Sequence, residues 1–267
     1  MLEPRLVQLC AGDLLSAFKL PKVLYPLAWL PARRFAARLS QFDQLVGHRG
    51  LVEGGEFLLN NFSGGAVFSG IESLPRSGPL VIASNHPGMC DAMALWQAIG
   101  REDLKVIAAE RELLTLLPNV SRKLIIVRQG SSESLRSASD HLAQGGALLT
   151  FPAGGIELDP AVRPGFRESL KGWSPSIELL VKRTPSTALV PALVSGAISA
   201  EALRSPLIQW IQDGKERDWA GATLQILFRR MRRNQLSVAF GAPVQGGLSQ
   251  IQESMVELLT SHRDLMP

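Results

Sequence analysis

The sequence predicts an α/β domain built on one central mixed sheet of about seven strands, flanked by helices and preceded by an N-terminal helical arm. Three observations predict it. After residue 50, short apolar runs alternate with stretches of helical periodicity, the pattern of a sheet covered by helices. These elements use up the chain without a long structureless loop. The 267 residues are 46% hydrophobic and 19% charged, which supports a large core and excludes a disordered chain.

The first 50 residues read as the arm. Leu6, Leu9, Cys10 and Leu14 recur at helical spacing, as do Phe35, Leu39, Phe42 and Val46. Pro21, Pro26 and Pro31 interrupt the stretch, and Tyr25 and Trp29 stand beside Pro31, Arg33 and Arg34. An amphipathic helix with interfacial aromatics and arginines suits the headgroup layer of a membrane. It suits packing against the main domain equally, and both readings stay open.

The domain proper is expected over 51–267. Its candidate strands are 66–71, 80–83, 104–108, 124–127, 147–151, 188–192 and 236–240. Its candidate helices are 91–99, 132–143, 176–182, 200–212, 222–232 and 249–261. In the helix starting near residue 176, Ser174 is a candidate cap and Pro175 suits the first turn. The run Arg229, Arg230, Met231, Arg232 and Arg233 closes the helix before the last strand, where cations complement the dipole. The same run suits anionic lipid or an acidic carrier protein.

Charge narrows the partners. Twenty-eight Lys and Arg against 24 Asp and Glu leave +4, a mild excess that fits an anionic substrate or membrane surface better than nucleic acid. Aromatic residues reach 6%, with one Tyr, which leaves little for base stacking. No nucleic-acid partner is expected. Cys10 and Cys90 are the only cysteines, too few for a disulfide framework or a cysteine-built zinc site, so a reducing compartment and no metal are expected. Residues 1–20 carry Glu3, Pro4 and Asp13 where a secretory signal is continuously apolar. No stretch offers the roughly 18 to 20 apolar residues of a membrane span. The expected location is peripheral, on the cytoplasmic face of a membrane.

Several site motifs are missing, among them the phosphate-loop, the dinucleotide glycine pattern, H-E-x-x-H and the G-x-S-x-G elbow. The strongest local signal runs Ser84, Asn85, His86, Pro87, Gly88, Met89, Cys90, Asp91. It follows an apolar strand and leads into a helix, the place where α/β sheets open a crevice. His86 with Asp91 five residues on makes a base and its orienting carboxylate. Alternatively, His86 is a loop histidine and Asp91 caps the helix. Cys90 in the same loop lacks a second histidine to activate it and reads as a small buried side chain.

Four blocks in order carry a resemblance. They are the strand entering Asn85, His86 and Asp91; Leu124 to Val127 ending in Arg128; Phe151, Pro152, Ala153, Gly154 and Gly155; and the Leu189, Val190, Pro191, Ala192 strand. Together they resemble the PlsC-type lysophospholipid and glycerol-phosphate acyltransferases, over roughly residues 65–195. The resemblance implies acyl transfer from acyl-CoA or acyl-carrier protein to a hydroxyl of a glycerol-phosphate or lysophospholipid acceptor, with no further cofactor. It implies His86 as general base, Asp91 as its orienting partner and Arg128 as holder of the acceptor phosphate. Asn85, Phe151, Pro152, Gly154 and Gly155 become candidate substrate-binding residues.

The chain departs from the family at the third block, where Ala153 stands in place of Glu and Gly155, Ile156 and Glu157 replace Thr-Arg-Ser. That departure suggests an unusual acceptor, such as an aminoacyl lipid of the ornithine-lipid kind or a glycolipid. Arg163, Arg167 and Lys171 follow closely as candidates for the missing positive charge. A non-catalytic lipid-binding protein with the same fold is the alternative of another class.

Overall fold

The computed structural model describes residues 2–128 and 132–262. Two helices come first, α1 (Pro4–Ala17) and the long α2 (Tyr25–Phe62). The strands are β1 (Ala66–Ser69), β2 (Leu80–Ser84), β3 (Lys105–Ala109), β4 (Leu124–Val127), β5 (Ala147–Thr150), β6 (Ala188–Ser195) and β7 (Leu236–Phe240). Between β2 and β3 lies α3 (Met89–Ile99), and between β3 and β4 lie α4 (Glu112–Thr115) and α5 (Pro118–Ser121). Before β5 comes α6 (Glu133–Ala143), before β6 come α7 (Phe166–Leu170) and α8 (Ser176–Arg183), and before β7 come α9 (Ala200–Leu203) and α10 (Lys215–Leu227). The last helix is α11 (Leu248–Ser261).

The seven strands form one sheet in the order β1-β7-β6-β2-β5-β3-β4. The five strands from β6 to β4 are mutually parallel, and β7 runs antiparallel to β6. The sheet is mixed, as expected. Because side chains alternate across a strand, Leu80 and Ile82 of β2 enter the core under α1, α2 and α3, while Val81 and Ala83 enter the core under α6, α8 and α11. All five residues of β2 are buried, which is why this central strand reads as a continuous apolar run.

The arm differs in detail from expectation. Pro26 sits in the first turn of α2, and the helix continues through Pro31, although an interior proline removes a backbone donor. The real break is at Gly50, whose φ of 83° is a left-handed conformation that glycine adopts cheaply. There the chain folds back on itself. Phe35 packs edge-on against Phe62 at 5.4 Å, across the kink. The inner faces of α1 and α2 bury Leu6, Cys10, Ala32, Leu39 and Phe42 in the main core. Val23, Leu27 and Leu30 remain exposed at the outer tip. None of the described helices is long and apolar enough to cross a membrane.

Two expected helices also shift. The stretch expected at 200–212 is α9 followed by a 3₁₀ turn at Pro206–Ile208, because Ser205 accepts the Leu207 N–H and Pro206 has none to continue the helix. The stretch expected at 222–232 is the end of α10, which stops at Leu227, and a 3₁₀ turn at Arg229–Met231. Arg232 closes α10, donating to the carbonyls of Gln225 and Ile226. At the entrance of α8 the cap residue is Pro175 rather than Ser174 and has no side-chain cap bond; Ser174 Oγ, one residue earlier, accepts from the Ser176 N–H.

Candidate active site

The carboxyl ends of β2, β5, β3 and β4 lie along one edge of the sheet, where an α/β fold opens its crevice. His86 follows β2 directly, and Asp91 is the third residue of α3. The imidazole Nδ1 lies 2.7 Å from Asp91 Oδ2. That same oxygen accepts the Gly88 N–H at 3.0 Å. Capping the helix and orienting the histidine are therefore one arrangement, not alternatives. A carboxylate only accepts, so the shared proton belongs to Nδ1 and the other ring nitrogen, Nε2, is left as a base. Asp91 is fully buried, whereas a quarter of the His86 side chain is exposed.

Electrostatics of the imidazole are a balance. Burial works to lower its pKa, but the charge and hydrogen bond of Asp91, helped by Glu157, outweigh it and hold the pKa above the ordinary histidine value. Arg111, on the loop after β3, works in the lowering direction.

Glu157 is the residue that sequence reasoning noticed only as a departure. Its Oε2 accepts the His86 N–H at 3.0 Å, its own N–H donates to the His86 carbonyl at 2.8 Å, and its Oε1 accepts the Trp173 indole N–H at 3.0 Å. It is 5% exposed, and burial pushes its carboxyl up from the ordinary glutamate range. Nothing in local spacing announces it, because its partner lies 71 residues away on another strand's loop.

The other expected residues divide. Phe151, at the end of β5, stacks on the His86 ring with centroids 4.3 Å apart. Pro152 is buried and its carbonyl accepts the Ser174 N–H. Gly154 is left-handed, with φ 67°, and its N–H closes a turn onto the Phe151 carbonyl at 3.0 Å. Gly155 is exposed beside it. Asn85 is fully buried, with its amide bonded at both ends to the Val194 backbone at 2.8 Å. It fastens the loop to β6 and holds no free group toward the cleft. Arg128, at the end of β4, lies three strands from β2, about 14 Å at the usual strand spacing. Its Nε is 3.1 Å from Glu110 Oε1 in an exposed pair.

Of the basic candidates after the third block, Arg163 is engaged by Asp213 and Asp218 at 2.6 and 2.8 Å, and Lys171 by Glu168 at 2.6 Å. Arg163 is thereby committed, largely buried with Asp218, whereas the Lys171 pair is exposed. Cys90 is buried and its thiol is pushed up to about 12 by burial, so it presents no thiolate at neutral pH. Among the described residues, no group of three or more His, Cys, Asp and Glu is arranged to hold a metal.

A cavity of about 280 Å³ lies between the arm and the domain. Its wall is largely apolar, from α1 (Cys10, Leu14), α2 (Ala32, Phe35, Leu39, Phe42), α3 (Cys90, Met93, Trp96), α4 (Leu113, Leu114) and α10 (Trp219, Ile226, Leu227), with Asp13 and Thr223 as its polar members. Cys90, next to Asp91 in the chain, brings this wall beside the histidine pair.

Residues 66–188 match the family model described as Acyltransferase. Over that stretch, a little under half of the chain, the protein is similar to the acyltransferase family. The matched stretch runs from the first residue of β1 to the first of β6, and it holds His86, Asp91, Arg128 and the Phe151–Gly155 turn. Among solved structures, the chain is similar to the 1-acyl-sn-glycerophosphate (LPA) acyltransferase PlsC from Thermotoga maritima, with 17% identity, 98% of each chain covered and a TM-score of 0.48. No curated protein matches. The matched stretch contains the bonded His86–Asp91 pair and has Ala153 in its third block.

Proposed function

We propose that the protein moves a fatty acyl group from acyl-CoA or acyl-carrier protein to a hydroxyl of a glycerol-phosphate or lysophospholipid acceptor. The observation that carries the reading is the 2.7 Å contact between His86 Nδ1 and Asp91 Oδ2, which leaves Nε2 as a base, in a segment whose Cys90 lines the largely apolar cavity. The acceptor O–H gives its proton to Nε2 while its oxygen attacks the thioester carbonyl. The tetrahedral adduct collapses, the C–S bond breaks, and the departing thiolate takes the proton from the imidazolium. Asp91 stabilises that imidazolium and fixes its orientation. A thioester already has a good leaving group, so no acyl-enzyme is required, in keeping with a Cys90 held as a thiol.

The acyl chain lies in the cavity between arm and domain, and residues 1–50 serve as an amphipathic arm that docks on the cytoplasmic face of the membrane. Val23, Leu27 and Leu30, exposed at the tip of the arm, support the docking, with Arg33 and Arg34 exposed nearby. Arg128 remains the proposed holder of an acceptor phosphate, since an exposed ion pair is worth only about 0–1 kcal/mol and yields to a phosphate.

Ala153 favours a second reading, in which the acceptor is an aminoacyl lipid or glycolipid. Thiol release from palmitoyl-CoA and palmitoyl-carrier protein, measured with purified protein against a panel of lyso-lipid acceptors, separates the two. Release that depends on lysophosphatidic acid supports the first, and release that depends on a lyso-aminolipid supports the second. No release with any pairing leaves a lipid-binding protein and removes both.

A further inference from the structure

At the rim of the cavity three arginines converge without an acidic partner. Arg232 is fixed by its capping bonds, Nε to the Gln225 carbonyl and Nη2 to the Ile226 carbonyl, both at 2.6 Å, and its guanidinium lies 5.3 Å from the Phe62 ring centre. Arg229 stands three residues earlier, in a 3₁₀ turn whose i and i+3 side chains share a face. Arg38 stands one turn of α2 beyond Phe35, whose ring packs on Phe62, and its guanidinium is 6.0 Å from the Phe57 ring centre. Arg38 and Arg232 thus each lie over an aromatic ring of the last stretch of α2, Phe57 and Phe62.

None of the three arginines makes an ion pair among the described residues, and Arg38 is bonded only to the neutral Gln41 side chain. Burial, then the charges of Arg229 and Arg38, press the Arg232 pKa below the ordinary arginine value. Like charges held together with no counter-charge are an arrangement that an anion relieves, and arginine forks match phosphate oxygens. Phe35, Phe62 and Ile226 wall the cavity at this point.

We propose that Arg38, Arg229 and Arg232 form a subsite for the phosphate of an amphiphilic substrate whose chain lies in the cavity. The naming of the substrate rests on the acyl-transfer reading above. The phosphate has two sources, the head of a lyso-lipid acceptor and the CoA of the donor.

Isothermal titration calorimetry on the full chain carrying His86→Ala, so that nothing turns over, compares ligands in two pairs. One pair is octanoyl lysophosphatidic acid and monooctanoylglycerol; the other is CoA and pantetheine. The phosphate is expected to raise affinity about ten-fold or more in at least one pair. Arg38→Gln with Arg229→Gln is expected to cut that advantage about five-fold or more while the phosphate-free ligand binds as before. The pair that responds names the source. A smaller cut, or no phosphate advantage in either pair, overturns the subsite. Arg232 is left in place because it closes α10, and the exposed single change Arg229→Glu gives the same reading should the double variant fold poorly. Thiol release by the unaltered protein is scored separately, so phosphate-dependent binding without release removes the reaction and leaves the subsite standing.

Discussion

Glu157 and His86 are tied three ways: each N–H meets an oxygen of the other residue, at 2.8 and 3.0 Å, and the Glu157 charge raises the His86 pKa. The carboxylate belongs to a loop 71 residues away in sequence, so the altered block after β5 clamps the histidine loop after β2.

Glu157→Gln removes that charge without removing the bulk. The base must be neutral to act, so the wild-type rate is expected to fall on the acid side through an apparent pKa above 6.5. In the variant that limb moves to lower pH. Stability moves as well, because Gln cannot accept from both the His86 and Trp173 N–H groups with the oxygen pair it lacks, at a cost of about 1–3 kcal/mol. The linkage sign is fixed by the raised His86 pKa. Its contribution to stability is complete below 6.5 and is lost as pH rises through the folded value. A kcat/KM profile and a urea melt, each across pH, check both statements. An unmoved acid limb removes Glu157 from the titration of His86.

His86→Ala is expected to lower kcat by about 10²- to 10⁴-fold with the fold retained. Asp91→Asn is expected to do comparable damage by a different route. An amide nitrogen turned toward Nδ1 forces the proton onto Nε2, which then cannot act as a base. Because the same Oδ2 accepts the Gly88 N–H, an amide nitrogen at that place also leaves this donor unpaired, and the Asn variant is expected to lose about 1–3 kcal/mol of stability while remaining folded. Turnover by thiol release and a thermal melt distinguish lost chemistry from lost fold.

The sheet and the pair were legible because their signals are local. Seven apolar runs placed the seven strands to within three residues at either end, and only four residues separate His86 from Asp91. What escaped depends on distant contacts. Glu157 works through His86 and Trp173, and Asn85 looked like a cleft residue because nothing nearby says that Val194, 109 residues on, takes both ends of its amide. Prolines misled in the arm, since Pro31 sits inside a helix whose packing outweighs the lost bond, while Gly50 makes the break. The shift of α10 follows from Arg232 capping backward onto Gln225 and Ile226, a contact that a run of arginines does not announce.

Asn85→Ala leaves the N–H and carbonyl of Val194 without their partner inside the core. The expected loss is about 1–3 kcal/mol for each group left unpaired. If Asn85 only fastens the loop, kcat falls with stability and KM for the acceptor stays near the wild-type value. A selective rise in that KM, in a variant of unchanged stability, would place the side chain against substrate instead.

Ala32 is 1% exposed on the arm and lines the cavity across from the domain helices. Ala32→Phe adds a ring to that wall, and overpacking of this kind typically costs about 1–3 kcal/mol where no space exists. Here the cavity of about 280 Å³ receives the ring, so the expected penalty in stability is smaller than for a filled core. The space removed is the space proposed for the acyl chain. Long donors should suffer and short ones should not: the ratio of kcat/KM for palmitoyl-CoA to that for octanoyl-CoA is expected to fall about ten-fold or more, the effect of excluding two or more methylenes at about 0.8 kcal/mol each. An unchanged ratio in a folded variant would mean that the chain lies elsewhere and that the arm contributes structure alone.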